Sequence, residues 1–321
     1  MGIDIDVEKR NYMEILKEKF SLESKGNDIR KYYTFLLKNL DWAERTYLRG
    51  IYEEILSKSV ADNDYQTIKN VFFQGTRTQL LPSGNGGYDH CWQLWGALDS
   101  IGCDNYENIY RLFPNGIPLS CNGYPMYVNA TNILLCILYN KGEKQLYEQN
   151  KVTEKALKFI ASKKPRWDRA VVAALLGILE HDIEMVSQNL QAICESTLRI
   201  DLIKYKKIQC ITAYGITALA YHNLTKEEFQ NIKLPEYKNY SIGYIKWFLD
   251  GNWKDDLCIL YDHPFEEVNT ILKMPVAISQ TNPPFVLSDD EIKVKKVVSL
   301  NTDKMLDDYI SNICEQADPQ G

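Results

Sequence analysis

The sequence predicts an all-α protein: an irregular multi-helix bundle built from αα-hairpins and closed by a mostly extended C-terminal tail. Three observations predict it. Apolar residues recur at steps of three and four through nearly all of residues 28–272. Loop and capping signals cut that stretch into helices with short connections. The alternation of strand and helix patterns that marks a parallel sheet is missing.

The elements follow in order. Tyr32, Tyr33, Leu36, Leu37 and Leu40 form one stripe, and Trp42, Tyr47, Leu48, Ile51, Tyr52, Ile55 and Leu56 the next. Asp62 opens a helix through Tyr65, Ile68, Val71 and Phe72. The run Ser-Gly-Asn-Gly-Gly at residues 83–87 breaks the pattern, which resumes over residues 88–102 with Trp92, Trp95, Leu98 and Ile101. Asp104 and Glu107 have capping-box spacing and predict a helix starting at Asp104, with Asp in the place of Ser or Thr. An apolar run over residues 127–139 follows two loops rich in Pro and Gly.

Thr153 predicts the next helix start, and Pro165 suits the first turn of the one after. That helix, residues 166–180, is apolar almost all round and belongs in the middle of the fold. Residues 183–198 return antiparallel to it after a tight turn at Glu180-His-Asp182. Residues 203–222 read as one long helix, and Thr225 with Glu228 as a second capping box. Gly96, Gly177 and Gly215 lie inside helices, where glycine costs about 1 kcal/mol against alanine, so they mark close helix contacts. The proline-bearing stretch after Met274 reads as a tail, with a strand at 294–300 and a last helix at 301–315. The expected organisation is one helical domain over residues 1–275, with two lobes meeting near residue 150 as its variant, and a tail over 276–321.

Composition narrows the function classes. The chain has 321 residues, 45% hydrophobic and 25% charged, as an ordinary globular domain does. Its start carries no secretory pattern, and no apolar run approaches the ~20 residues that span a bilayer, so the expectation is a cytoplasmic protein with no membrane partner. The net charge of -6 argues against a sequence-independent nucleic-acid binder. The eight cysteines are scattered and several sit in apolar helices, which points to reduced thiols rather than a disulfide framework.

Candidate chemistry is sparse. The glycine loop lacks the Lys-Ser/Thr pair of a P-loop, and Asp89 after it would repel phosphate. His90 and Cys91 are neighbours, so on a helix they point about 100° apart and do not share a proton. The four histidines and eight cysteines show no metal-ligand spacing, so neither cofactor nor metal is expected, and no catalytic residue is assigned. One segment stands apart. Residues 250–267 hold six acids, Asp250, Asp255, Asp256, Asp262, Glu266 and Glu267, against the single base Lys254. Trp253 and Tyr261 sit among them, which is the composition of an acidic docking patch with aromatic anchors. The bland alternative is a solvated loop whose aromatics are tucked into the core.

Residues 117–125 (Ile-Pro-Leu-Ser-Cys-Asn-Gly-Tyr-Pro), residues 132–138 (Asn-Ile-Leu-Leu-Cys-Ile-Leu), the helix of residues 167–181 and residues 262–267 (Asp-His-Pro-Phe-Glu-Glu) carry a likeness. Over roughly residues 88–275 the chain resembles the large all-α immunity proteins of bacterial polymorphic toxin systems, most nearly the immunity protein 49 family. The resemblance implies a cytosolic protein that occludes a cognate toxin without catalysing anything, and it transfers no site residues. Together the residues and the resemblance lead to an immunity protein, not an enzyme, that blocks a toxin, a basic one above all, by steric and electrostatic occlusion. Two other classes stay open: a helical scaffold binding a peptide or protein partner, and an enzyme on an α-helical scaffold. A deep pocket of converging ionisable groups would favour the last.

Overall fold

The computed structural model describes residues 4–19, 28–84, 87–142, 145–283, 285–289 and 292–317. The chain is about 66% helical, so the all-α class holds. In chain order the helices are α1 (Ile5–Lys19), α2 (Ile29–Ala43), α3 (Arg49–Asp62), α4 (Tyr65–Gln79), α5 (Leu94–Ile101), α6 (Asn108–Leu112), α7 (Pro125–Tyr139) and α8 (Gln149–Ile160). They continue with α9 (Arg166–Leu179), α10 (Ile183–Thr197), α11 (Tyr205–Ile208), α12 (Ile211–Asn223), α13 (Lys226–Gln230), α14 (Ile242–Leu249), α15 (Glu267–Lys273) and α16 (Thr302–Ala317).

The apolar helix predicted at the centre is there. Every α9 residue from Ala170 to Ile178 is buried, and α9 packs on α7, α8, α10 and α12. Its antiparallel mate α10 follows a turn in which His181 takes φ 54°, and Asp182 caps α10 by accepting from the Met185 N–H at 2.9 Å. The Gly215 reading is also met. A Cβ there would lie 1.8 Å from the Leu98 carbonyl oxygen, so α5 and α12 touch backbone to backbone.

Several boundaries differ from expectation, each for a local reason. Asp104 does not cap a helix. It is buried beside Arg77, whose Nη2 donates to its Oδ1 at 3.0 Å, and α6 starts only at Asn108. Residues 203–222 are broken at Gln209, whose extended backbone (φ -133°, ψ 133°) separates α11 from α12. Helix α8 begins at Gln149, before Thr153. The Thr225 capping box forms as spaced. Residues 85 and 86 of the glycine loop lie outside the described residues.

Between α2 and α3 the backbone continues through a π-helical turn, Glu44–Leu48, so the two predicted stripes share one interrupted rod. The tail holds one antiparallel hairpin, β1 (Phe285–Asp289) and β2 (Ile292–Val297), the only sheet among the described residues. It is tied to the bundle at its base. The Ser279 N–H donates to the Arg111 carbonyl at 2.8 Å, while Arg111 Nε donates to the Val276 carbonyl at 2.6 Å. Helix α16 then packs on α2. One cluster of buried side chains runs from Tyr12 to Ile313, across positions 150 and 275 alike.

Candidate functional site

Residues 250–267 form a strap anchored to the bundle along much of its length. Residues 257–261 alternate, with Leu257, Ile259 and Tyr261 buried and Leu260 exposed. Tyr261 is therefore removed from the partner-binding set. It is 2% exposed, and its hydroxyl donates to the buried Glu44 carboxylate. Trp253 is half-buried, stacked on Phe248 at 5.4 Å, and its indole N–H donates to the Phe248 carbonyl at 2.9 Å.

The acids have partners from distant elements. Asp255 pairs with Lys69 at 2.5 Å, Asp256 with Lys273 at 2.9 Å and Asp262 with Lys9 at 3.0 Å. Glu266 faces His263 at 3.2 Å, and Glu267 accepts from the Tyr32 hydroxyl at 3.0 Å. Asp250 is exposed and has no ion pair among the described residues. The segment's five excess negative charges fall to two once Lys9, Lys69 and Lys273 are counted. Lys69 matters most. Its side chain is wholly buried, donates to the Lys254 carbonyl at 2.9 Å, and stands 4.2 Å and 4.5 Å from the Phe73 and Trp253 ring centres.

Glu44 gathers a dense polar cluster. It sits in the π-helical turn, 2% exposed, and accepts hydrogen bonds from Tyr261, from Tyr52 at 2.9 Å, from Thr78 at 2.7 Å and from Gln74 at 3.4 Å. Burial raises its carboxyl to about 7, against the pull of those four donors. A pKa near neutrality is the signature of a general base. Here, however, both oxygens already hold two donors each, and neither is left to face a substrate. In this arrangement Glu44 joins the π-helical turn, α3, α4 and the 250–267 segment.

A cleft opens on the other side of α4. Asp41, Arg45, Gly75, Gln79, Trp95 and Asp99 line one part of it, and Asp201, Leu202, Ile203, Tyr205, Lys206 and Thr212 the rest, around a volume of about 210 Å³. Asp99 is buried at its floor, accepting from Lys206 Nζ at 2.7 Å and from Thr212 at 3.0 Å. Burial alone would pull Lys206 down, but Asp99 outweighs it and the ammonium is held above its usual range. Arg45 pairs with Asp41 one helical turn away.

Trp95 links this cleft to a run of aromatic rings. Its indole N–H donates to the Tyr127 hydroxyl, and its ring lies 4.6 Å from Trp167. Tyr127 in turn touches Trp92 at 4.9 Å and Tyr124 at 5.7 Å. Trp92 is 49% exposed and Tyr124 37%. Two loops hold them in place. Asp89, buried, caps the turn of Trp92 through the Cys91 N–H at 3.0 Å and fastens the 120–122 loop through Ser120, Cys121 and Asn122. Burial would raise the Asp89 carboxyl, but those donors overcome it and hold it below the usual range. Tyr124 is fixed by donating to Asp168 at 2.5 Å.

The sequence pattern placed Trp92 on a core stripe and missed this surface. The missed signal is a short 3₁₀ segment, His90–Gln93, which turns Trp92 out of the helical phase that buries Leu98 and Ile101. His90 goes the other way, fully buried against Phe113, where burial lowers its pKa and keeps the ring neutral. Among the described residues no group of three or more His, Cys, Asp or Glu side chains is placed to hold a metal ion, and no helix is long and apolar enough to cross a membrane. Comparison of the chain with family models, with curated proteins and with solved structures gives no match.

Proposed function

We propose that the chain is a bacterial immunity protein that works in the cytoplasm, binding a cognate toxin and blocking it by occlusion. The observation that carries this reading is the aromatic surface of Trp92, Tyr124 and Tyr127, held rigid from below and open to solvent. Exposed Trp and Tyr on a fixed scaffold are what interface hot spots are made of, because they add contact area and lose little side-chain entropy on binding. The resemblance of residues 88–275 to immunity proteins points the same way.

In this reading the anchoring face moves from residues 250–267 to the aromatic surface. The strap still contributes through Asp250, Asp256, Asp262 and Glu266, which keep solvent-facing carboxylates and act on the rate of encounter with a basic toxin. A helical scaffold that binds a peptide is the second reading, favoured by the cleft beside Trp95.

The test begins with the genes beside this one: a toxin encoded there is expected, and it is the partner to use. Wild-type protein is expected to abolish its activity at one-to-one stoichiometry. Trp92→Ala should cost about 2 kcal/mol or more of affinity, mostly as faster dissociation, with an unchanged melting temperature. Full inhibition by a double variant, Trp92→Ala with Tyr124→Ala, would remove this face from the interface. A short peptide that binds in the cleft and competes with no toxin would favour the scaffold.

A further inference from the structure

We infer that the cleft lined by Trp95, Asp99 and Tyr205 is a receptor for a guanidinium group, an arginine side chain offered by the partner. That the arginine comes from a toxin rests on the proposed function; the chemistry of the cleft does not.

The sign of the ligand follows from how the charges are used. Asp41, Asp99 and Asp201 line the cleft against Arg45 and Lys206. Arg45 is matched to Asp41 and Lys206 to Asp99, which leaves Asp201 over. Asp201 is exposed and makes no ion pair among the described residues. An anion would meet two bases whose charges are already taken and three carboxylates. A cation meets one carboxylate in need of a partner.

A second, independent observation is the Tyr205 hydroxyl. Tyr205 is 5% exposed, yet its hydroxyl makes no hydrogen bond among the described residues. The ring is fixed at 5.5 Å from Tyr52 and 6.0 Å from Phe72, and the hydroxyl rests over Gly75, 2.7 Å from where a Cβ would stand. Gly75 and Tyr205 line both this cleft and a smaller cavity of about 20 Å³, and the Tyr205 oxygen is not among the buried polar atoms without a partner, so it is open to solvent there. Burial pushes the phenol up to about 12, so it stays neutral and offers lone pairs to an N–H donor. A hydroxyl carried on a buried, fixed ring and opening onto a cavity without a protein partner marks a place for a donor.

The shape selects among cations. A guanidinium is flat, carries five N–H donors in a fixed fork and is weakly hydrated, so it can lie against the Trp95 indole while donating to Asp201 and Tyr205. An ammonium is compact and holds its water more strongly.

The experiment titrates the full chain with N-acetyl-arginine N-methylamide and follows the Trp95 indole and Gly75 amide signals by two-dimensional NMR. Saturable shifts are expected with the arginine derivative. The lysine counterpart should bind at least about fivefold more weakly, and the citrulline counterpart, which has the same shape without the charge, should give none. Asp201→Asn, at an exposed position, should weaken binding about tenfold, and Tyr205→Phe about threefold, both at wild-type melting temperature. Citrulline binding as well as arginine, or an Asp201→Asn variant of unchanged affinity, would overturn the inference. A toxin held equally by wild type and Asp201→Asn would also end it, while leaving occlusion intact. Arginine binding with no recognition of any toxin would uphold it and end the immunity reading instead.

Discussion

The strap of residues 250–267 and the cleft beside Trp95 both border α4, and they use charge in opposite ways. The strap has the denser charge, but its acids are taken up by Lys9, Lys69 and Lys273, and its tyrosine is taken up by Glu44. The cleft is close to balanced in charge, yet an acid and the hydroxyl of a buried tyrosine have no protein partner there among the described residues. If the cleft receives a guanidinium as inferred, the difference teaches that unspent hydrogen-bonding capacity, more than charge density, separates a surface that holds the fold from one that takes a ligand.

The largest expected break falls on the strap's inner anchor. Glu44→Ala strands four donors and opens a void, and should cost about 4 kcal/mol of stability, read from the urea midpoint. A cost below about 1 kcal/mol would mean that the strap is not held through Tyr261.

The same carboxylate gives a pH test. Its folded value of about 7 lies above the usual 4.5, so between those values the unfolded chain loses this proton first, and stability falls as pH rises. From pH 4.5 to above pH 7 the loss should be on the order of 3 kcal/mol, flat thereafter, and Glu44→Gln should remove it. Asp104, also raised by burial, adds in the same direction. Asp89 is held low, so its contribution is present above the usual carboxylate range and is lost only in stronger acid. Rising stability from pH 5 to pH 8 would contradict the assignment.

Lys69→Met comes next. It keeps the apolar stem but loses the bonds to Lys254 and Asp255 and the contacts with two rings, at about 1–2 kcal/mol. Because Asp255 is 43% exposed, water can take over its carboxylate and soften the loss. Limited proteolysis within residues 250–258 should quicken in this variant. The smallest effect belongs to the outer acids. Replacing Asp250, Asp256, Asp262 and Glu266 by Asn and Gln should move stability by no more than about 0.5 kcal/mol, since exposed pairs contribute little. Under the proposed function, association with the toxin should slow and lose part of its salt dependence. A large stability loss there would make the outer face structural as well.

Much of the fold was legible because it rests on local spacing. Helix α9, its hairpin with α10 and the close approach at Gly215 follow from apolar periodicity and from glycine inside helices. The burial of Tyr261 was legible too, in the period-two pattern of Leu257, Ile259 and Tyr261, but the count of acids drew attention away from it. Glu44 falls between Leu40 and Leu48 on an apolar stripe, a position that predicts burial, although nothing local names its four donors. The cleft was out of reach. Asp99 and Lys206 are 107 positions apart, and only tertiary packing brings them together. Trp92 was misplaced because a 3₁₀ segment shifts the helical phase by an amount that composition does not reveal.

The π-helical turn Glu44–Leu48 has a consequence for insertions and deletions. It holds one residue more than an α-helical turn would, and that extra residue sets the phase of α3 relative to α2. Deleting any one residue there would restore a regular ladder and improve the local backbone. It would also swing everything downstream by about 100°, turning Ile51, Tyr52 and Leu56 away from the core they fill. The rod between residues 29 and 62 thus has a reading frame of its own, in which a conservative substitution is mild and the removal of a single residue scrambles the face that follows.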